Sequence, residues 1–109
     1  MNRRISSRTV FLMLLFWGVP CFAGEHTGRI NLYHLNSDVS GRGACVQMAP
    51  TLPGSGWACV YSDLRLYNEL NFALREAFFA LNPPNCKIFW NFVDENGGHI
   101  RISTLECTR

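Results

Sequence analysis

The chain has 109 residues, with ten basic and eight acidic side chains and a formal net charge of +2. This length allows one small domain and excludes a multidomain architecture. A charge this close to zero excludes the strongly basic surface that nucleic-acid binding requires.

The N-terminal segment has the parts of a secretory signal peptide. Residues 1–8 are basic, residues 9–19 are apolar, and Cys21-Phe22-Ala23 places small residues at −3 and −1 of a cleavage site. We therefore predict a signal peptide over 1–23 and a single secreted or periplasmic domain over 24–109. The apolar run is too short for a membrane span.

Cleavage changes the charge of the mature chain. Removing Arg3, Arg4 and Arg8 from the ten basic residues leaves seven against eight acidic ones, a net charge of −1. We therefore expect no nucleic-acid partner and no attraction to an anionic membrane.

Four cysteines remain after the signal: Cys45, Cys59, Cys86 and Cys107. An even number in a small secreted chain predicts two disulfides, among three possible connectivities. No Cys-x-x-Cys spacing occurs, and no histidine lies close enough in sequence to complete a zinc pattern. We expect neither a metal nor a cofactor.

Hydrophobic periodicity and turn residues predict five short strands and one helix. Strands are predicted over 28–35, 44–48 and 57–61, a helix over 62–81, and two further strands over 86–93 and 99–106. Because the order is β-β-β-α-β-β, we predict a mainly β domain: an OB-fold-like, five-stranded antiparallel barrel with its helix between strands three and four. The alternative is a twisted antiparallel sheet with one helix across it.

The helix 62–81 has the strongest period in the chain. One face carries the predicted core stripe of Leu66, Leu70, Ala73, Leu74, Ala77 and Leu81. Ser62 or Asp63 can cap its start, and Asn82-Pro83-Pro84 ends it, because proline lacks the N–H that a helix needs.

The last two strands predict their own register. Asn96-Gly97 favours a two-residue hairpin turn. Folding there places Cys86 opposite Cys107 at a separation suited to a disulfide. The same register pairs Lys87 with Glu106, and it leaves Cys45 to pair with Cys59 by elimination. The alternative is a register displaced by one residue, which the Gly97-Gly98 doublet allows.

Phe72 and Phe79 stand seven residues apart and off the core stripe, near Arg75 and Glu76. Two large aromatics on the nominally polar side predict a contact between copies of the chain. The competing interpretation is a wider core stripe that absorbs both rings.

Several short motifs resemble the small secreted B subunits of the subtilase-cytotoxin and pertussis-like bacterial toxins. They are Gly28-Arg29-Ile30, Cys45 with Cys59, Trp57, Leu66-Tyr67-Asn68 and Ile88-Phe89-Trp90. The resemblance implies an OB-like fold, a ring of five subunits with helices lining its centre, sialylated host glycans or glycoproteins as ligands, and a possible enzymatic A subunit. The chain departs from the family at Glu25-His26-Thr27, which is too short for the family's sugar-contacting serine segment, and in its shorter final hairpin.

No catalytic arrangement emerges from the sequence, and we expect no enzymatic activity. His26, His34 and His99 lie without a nucleophile–base spacing. Three aromatic residues are candidates for stacking on sugar rings: Tyr33, Trp57 and Tyr61. The competing interpretation places tryptophan in the core, since aromatics dominate small cores.

These observations predict a secreted, non-enzymatic binding module, a glycan-binding toxin B subunit that assembles as a ring. Two other classes stay open. One is an inhibitor of an extracellular enzyme that presents the disulfide-closed loop 50–56, since a rigid loop binds at a lower ordering cost. The other is a small hydrolase whose site the sequence does not reveal.

Overall fold

The computed structural model describes residues 23–109. Residues 1–22 of the predicted signal peptide therefore lie outside the described residues. The elements are β1 (Gly24–His34), β2 (Arg42–Ala49), β3 (Ala58–Tyr61), α1 (Tyr67–Phe79), β4 (Asn85–Val93) and β5 (Ile100–Thr108). The prediction of a mainly β chain with one helix is confirmed. Within residues 23–109, no helix is long and apolar enough to cross a membrane.

The five strands close into a ring in the order β1-β2-β3-β5-β4. Strand β1 makes this closure possible because its first part pairs with β4 and its second part pairs with β2. It begins at Gly24, four residues before the predicted start. Gly28 lies where β1 changes partner, and a Cβ there would lie 2.5 Å from the carbonyl oxygen of Ala49. Only glycine lets the two strands approach this closely.

The prediction of an antiparallel sheet throughout is wrong at one pair. Strands β3 and β5 run parallel, with Ala58 opposite Ile100 and Cys59 opposite Arg101. The other pairs are antiparallel, so the sheet is mixed. A hairpin turn imposes antiparallel pairing on its two strands, whereas β3 reaches β5 only through α1 and β4, which leaves their relative direction free.

The β4–β5 register is as predicted at its outer end. Cys86 lies opposite Cys107 and Lys87 opposite Glu106. The predicted two-residue turn is wrong, because the chain reverses over residues 95–98. The N–H of Asp94 donates to the carbonyl of His99 across that loop, at 2.8 Å.

Two irregularities in this hairpin cancel. The register shifts between Phe89 and Trp90 and shifts back between Trp90 and Val93, so Val93 still lies opposite Ile100. The shorter predicted turn and the longer observed loop are both centred on the same point of the chain, so either one brings Cys86 to Cys107.

The helix is shorter than predicted at both ends. The segment 62–66 forms turns instead of a first helical turn, with the N–H of Leu64 donating to the carbonyl of Tyr61 at 3.1 Å. Neither Ser62 nor Asp63 caps α1, because Leu66 occupies the N-cap position without a side-chain hydrogen bond. Asp63 instead binds Arg101.

The core lies inside the ring, with α1 packed against β1, β2, β3 and β5. From α1, it buries Leu70, Leu74 and Ala77. The predicted stripe is wrong at its ends, since Leu66 is 40% exposed and Leu81 is 99% exposed. Both residues lie beyond the helical segment, so the helical period no longer sets the direction of their side chains.

One polar contact fixes α1 on the sheet. The side-chain oxygen of Asn71 accepts the backbone N–H of Ala44 on β2, at 2.9 Å in a partly buried position. Gly43 leaves room for this contact, because a Cβ there would lie 2.6 Å from the same Asn71 oxygen.

Both predicted disulfides are confirmed. Cys45 is bonded to Cys59, which links β2 to β3 and closes the loop between them. Cys86 is bonded to Cys107, which links the open end of the β4–β5 hairpin. The two bridges therefore link two different pairs of neighbouring strands in the ring.

Candidate functional site

The outward side of α1 carries the four residues predicted as an interface: Phe72, Arg75, Glu76 and Phe79, called here the Phe72–Phe79 face. Phe72 is 63% exposed and Phe79 is 64% exposed. At about 100° per residue, both rings project almost opposite to Leu74, which is fully buried. The interpretation that a wide core stripe absorbs them is therefore wrong for the single chain.

An apolar groove runs beside this face. It has a volume of about 640 Å³ and lies between Phe72 and Ala77 of α1 on one side and Pro84 and Cys107 on the other. Glu76 and Arg109 supply charges of opposite sign at its edge. The exposed apolar surface therefore extends from the helix onto the ends of β4 and β5.

Tyr33 belongs to the flank of the same helix. Its ring stacks on Phe78 with centroids 5.9 Å apart, and it meets Phe79 edge-on at 6.0 Å. Together with Leu35 and Arg75, Tyr33 and Phe79 line a shallow hollow of about 490 Å³. One part of the predicted stacking set thus lies beside the predicted interface.

Trp57 lies elsewhere. It is half-buried against the cluster formed by Cys45, Cys59 and Tyr61, and its ring centroid is 5.6 Å from that of His34. Side chains of successive strand residues point to opposite faces, so His34 and Tyr33 direct their contacts to different sides of β1. The structure therefore does not bring Tyr33 and Trp57 into one site.

Tyr61 is nearly covered, with 9% of its surface exposed. The Arg101 guanidinium lies 4.2 Å from the ring centroid, and the phenol donates a hydrogen bond to the Asp94 carboxylate. Burial, followed by the hydrogen bond and the charge of Asp94, raises the pKa of Tyr61 to about 12, while nearby Arg42 acts in the opposite direction. One face of this ring is already occupied and unavailable to a sugar.

Next to Tyr61 lies a cleft of about 550 Å³, called here the Arg101 cleft. Its lining includes Phe92 and Asp94 from the end of β4, Arg101 from β5, Arg42 from the start of β2, and Tyr61 from β3. The cleft is therefore lined by residues of four strands, which lie far apart in the sequence.

Arg101 is the most constrained side chain of the cleft. Besides the Tyr61 ring, its guanidinium lies 5.1 Å from the centroid of Phe92. One nitrogen, Nη2, donates to both carboxylate oxygens of Asp63, at 2.8 and 2.9 Å. Stacking on two rings and pairing with a carboxylate fix the guanidinium plane.

Nothing in the sequence distinguishes Arg42, Phe92 or Arg101 as residues of a site. Arg101 and Phe92 belong to predicted strands, but a strand pattern does not distinguish an arginine stacked between rings from one in solvent. The closed ring and the parallel β3–β5 pair bring these residues together, and both are long-range features.

The structure also brings together Ser55 and His99, which are 44 residues apart in the chain. The Ser55 hydroxyl oxygen lies 2.8 Å from Nδ1 of His99 and accepts the backbone N–H of Trp57 at 3.2 Å. Over residues 23–109, no carboxylate hydrogen-bonds to the His99 ring, so this serine–histidine pair lacks the third group of a catalytic triad. The contact joins loop 50–56 to the β4–β5 loop.

The loop 50–56 also contacts the core and strand β1. Leu52 is 3% exposed and belongs to the core, and Nε2 of His26 lies 2.8 Å from the carbonyl oxygen of Pro50. The loop is thus braced against the domain at several points. Among residues 23–109, no group of three or more His, Cys, Asp or Glu side chains is placed to hold a metal ion.

Comparison with known proteins returns no match: no protein-family model, no curated protein and no solved structure matches the chain.

Proposed function

We propose that the mature chain is a secreted, non-enzymatic binding module that self-associates as a ring and binds host glycans, in the manner of a toxin B subunit. The observation that carries the proposal is the exposure of Phe72 and Phe79, at 63% and 64%, on the side of α1 opposite the core. Exposed phenylalanine rings beside an apolar groove are typical of an interaction site.

Burial of the Phe72–Phe79 face supplies the driving force for assembly. Fully burying one phenylalanine contributes about 1.5–3 kcal/mol, and each subunit offers two rings and the adjoining groove. Arg75 and Glu76 carry opposite charges on the same face, so neighbouring copies can pair them. A contact between this face and a different surface of the next copy is heterologous, and such contacts generate rings when the rotation closes.

An OB-like fold is part of this proposal. The five-stranded ring and the single helix between β3 and β4 support it, since a five-stranded Greek-key barrel is the basis of that fold. A ring of such domains also offers a platform for an enzymatic A subunit.

Glycan binding by a small domain becomes effective in such an assembly. A shallow site on one copy binds weakly, but several sites on one ring can raise the overall affinity by roughly 10²–10⁴. Of the candidate aromatic positions, Tyr33 lies beside a hollow and Trp57 at the end of a loop, whereas Tyr61 is nearly covered and lines the Arg101 cleft.

A glycan array tests the proposal. We expect the oxidised mature protein to bind a defined subset of immobilised glycans at native assembly, and the monomeric Phe72→Asp variant to bind the same subset far more weakly because avidity is lost. Reduced and alkylated protein serves as the unfolded control. Absence of binding to every glycan by the native assembly would refute the glycan-binding function.

A further inference from the structure

We propose that the Arg101 cleft is the carbohydrate site and that it takes a neutral pyranose in preference to an acidic sugar. This inference rests on the glycan binding proposed above and specifies its location and ligand class. It moves the site from the predicted stacking positions Tyr33 and Trp57 to Phe92 and the polar groups around it. It also departs from the resemblance, which implies sialylated and therefore acidic ligands.

Phe92 provides the apolar platform. It is 44% exposed and lines the cleft, so the part of its ring that the Arg101 guanidinium does not cover is available to the C–H face of a sugar. The Arg101 guanidinium lies against this ring at 5.1 Å and is itself held by Tyr61 and Asp63. A platform whose neighbours are already fixed binds at a lower ordering cost.

Asp94 provides acceptors in a fixed orientation. One carboxylate oxygen accepts a hydrogen bond from the Tyr61 phenol, and the other accepts one from the backbone N–H of His99 at 3.2 Å. Each oxygen has a further acceptor position, so the carboxylate can still accept hydroxyl groups of a ligand. Asn96, which also lines the cleft, carries both a donor and an acceptor.

Arg42 and Arg101 provide donors. Within residues 23–109 the only ion pair is Arg101–Asp63, so Arg42 has no carboxylate partner there, and the N–H groups that it does not direct to the Tyr61 hydroxyl stay available. Of the Arg101 nitrogens, only Nη2 is used by Asp63. Sugar hydroxyls both donate and accept, and a lining with carboxylate acceptors and guanidinium donors around an aromatic ring matches that chemistry.

The charges of the lining decide between a neutral and an acidic sugar. Arg42 and Arg101 are balanced by Asp94 and Glu95, so the cleft has no excess positive charge. Arg101 is also paired with Asp63 outside the lining. An anionic sugar would therefore gain no net attraction and would bring its carboxylate near Asp94 and Glu95, which disfavours it.

The test uses an array that carries both neutral-terminated and acid-terminated oligosaccharides. We expect the native protein to bind neutral-terminated glycans, and Phe92→Ala to weaken this binding about tenfold. Arg42→Ala should weaken it as well. Leu81→Ala is the matched control, because Leu81 is 99% exposed and lies outside the cleft, and we expect this variant to bind as the native protein does.

Amide chemical shifts provide a readout that does not need a variant. Titration of the native protein with the strongest neutral array glycan should shift the amides of residues 92–96 and of Arg101. Array binding that survives both substitutions, with shifts elsewhere, would overturn the cleft assignment and leave the proposed function standing. Binding restricted to acid-terminated glycans would overturn the ligand class. Binding to no glycan at all would remove the function together with its site.

Discussion

Phe72 and Phe79 lie one above the other on α1, about two helical turns apart, and both project away from the buried Leu74. The same helix thus presents two apolar sides, one covered by the sheet and one that stays largely exposed within residues 23–109, with Tyr33 at the edge of Phe79. Leu74 therefore stabilises the domain, whereas Phe72 and Phe79 are available for contacts between copies.

The first prediction concerns that separation. Phe72→Asp or Phe79→Asp should dissociate the assembly and leave a folded, oxidised monomer, because the new charge stays in water in the single chain and is buried only between copies. Sedimentation velocity measures the assembly, and circular dichroism measures the fold. Leu74→Asp is the control on the opposite side of the helix, where a buried unpaired charge should unfold the domain. Unfolding by the Phe72 and Phe79 substitutions as well would contradict the assignment.

The second prediction concerns the order in which the disulfides are reduced. Cys45 and Cys59 are 4% and 0% exposed, whereas Cys107 is exposed at the end of β5. Thiolate attack requires access to a sulfur, so the Cys86–Cys107 bridge should be reduced first under native conditions. Alkylation after brief exposure to a mild reductant, followed by peptide mapping, identifies the first thiols to appear. Earlier labelling of Cys45 and Cys59 would contradict the prediction.

Each bridge should also contribute to stability. The loops they close span 14 and 21 residues of sequence separation, and such loops correspond to about 3 kcal/mol in the chain-entropy account. The double variant Cys86→Ala/Cys107→Ala should therefore lower the free energy of unfolding by about this amount in a urea titration.

The third prediction concerns alkaline pH. The pKa of Tyr61 is raised from 10.0 to about 12, chiefly by burial and then by Asp94. The folded state therefore retains this proton where the unfolded state releases it. The resulting stabilisation is complete below pH 10.0 and is lost as the pH rises toward about 12.

Tyr61→Phe tests this directly. The variant should lack the last step in the absorbance titration of the tyrosines and should lose less stability than the native protein above pH 10.0. Asp94→Asn should move that step to lower pH without removing it, because burial remains. An unchanged titration in Tyr61→Phe would assign the late step to another tyrosine.

The fourth prediction compares the two members of an ion pair. Asp63 is 71% exposed in its side chain and Arg101 only 20%. Asp63→Ala should cost about 0–1 kcal/mol of unfolding free energy, as solvent-exposed ion pairs do. Arg101→Ala should cost about 1–2 kcal/mol, because it also removes the guanidinium from two aromatic rings. Equal losses in urea titrations would show that the rings contribute nothing.

The sequence predicts the features of this fold that depend on local patterning. The β4–β5 register follows from a turn centre, a charge pair and two cysteines, and it survives both the longer loop and the two irregularities around Trp90. The connectivity of the disulfides follows from that register. The position of α1 follows from the spacing of Leu70, Leu74 and Ala77. Its start is not predicted correctly, because Asp63 pairs with Arg101 and does not cap the helix.

Features set by long-range pairing could not be predicted in the same way. No turn in the sequence predicts the parallel pairing of β3 with β5, and the Arg101 cleft depends on that pairing. Tyr61 is an example. The sequence pattern predicts its strand, but it does not predict that Arg101 covers the ring or that the phenol donates a hydrogen bond to Asp94. The aromatic candidates therefore had to be distinguished by the structure.

Light scattering on the native, oxidised mature protein tests the central claim most directly. We predict a closed assembly of several subunits, five in the ring that the resemblance implies, at micromolar concentration and physiological salt. Phe72→Asp under the same conditions should have the mass of one chain. A native protein that is itself a clean monomer would contradict the ring, and it would favour instead the inhibitor that presents the braced loop 50–56.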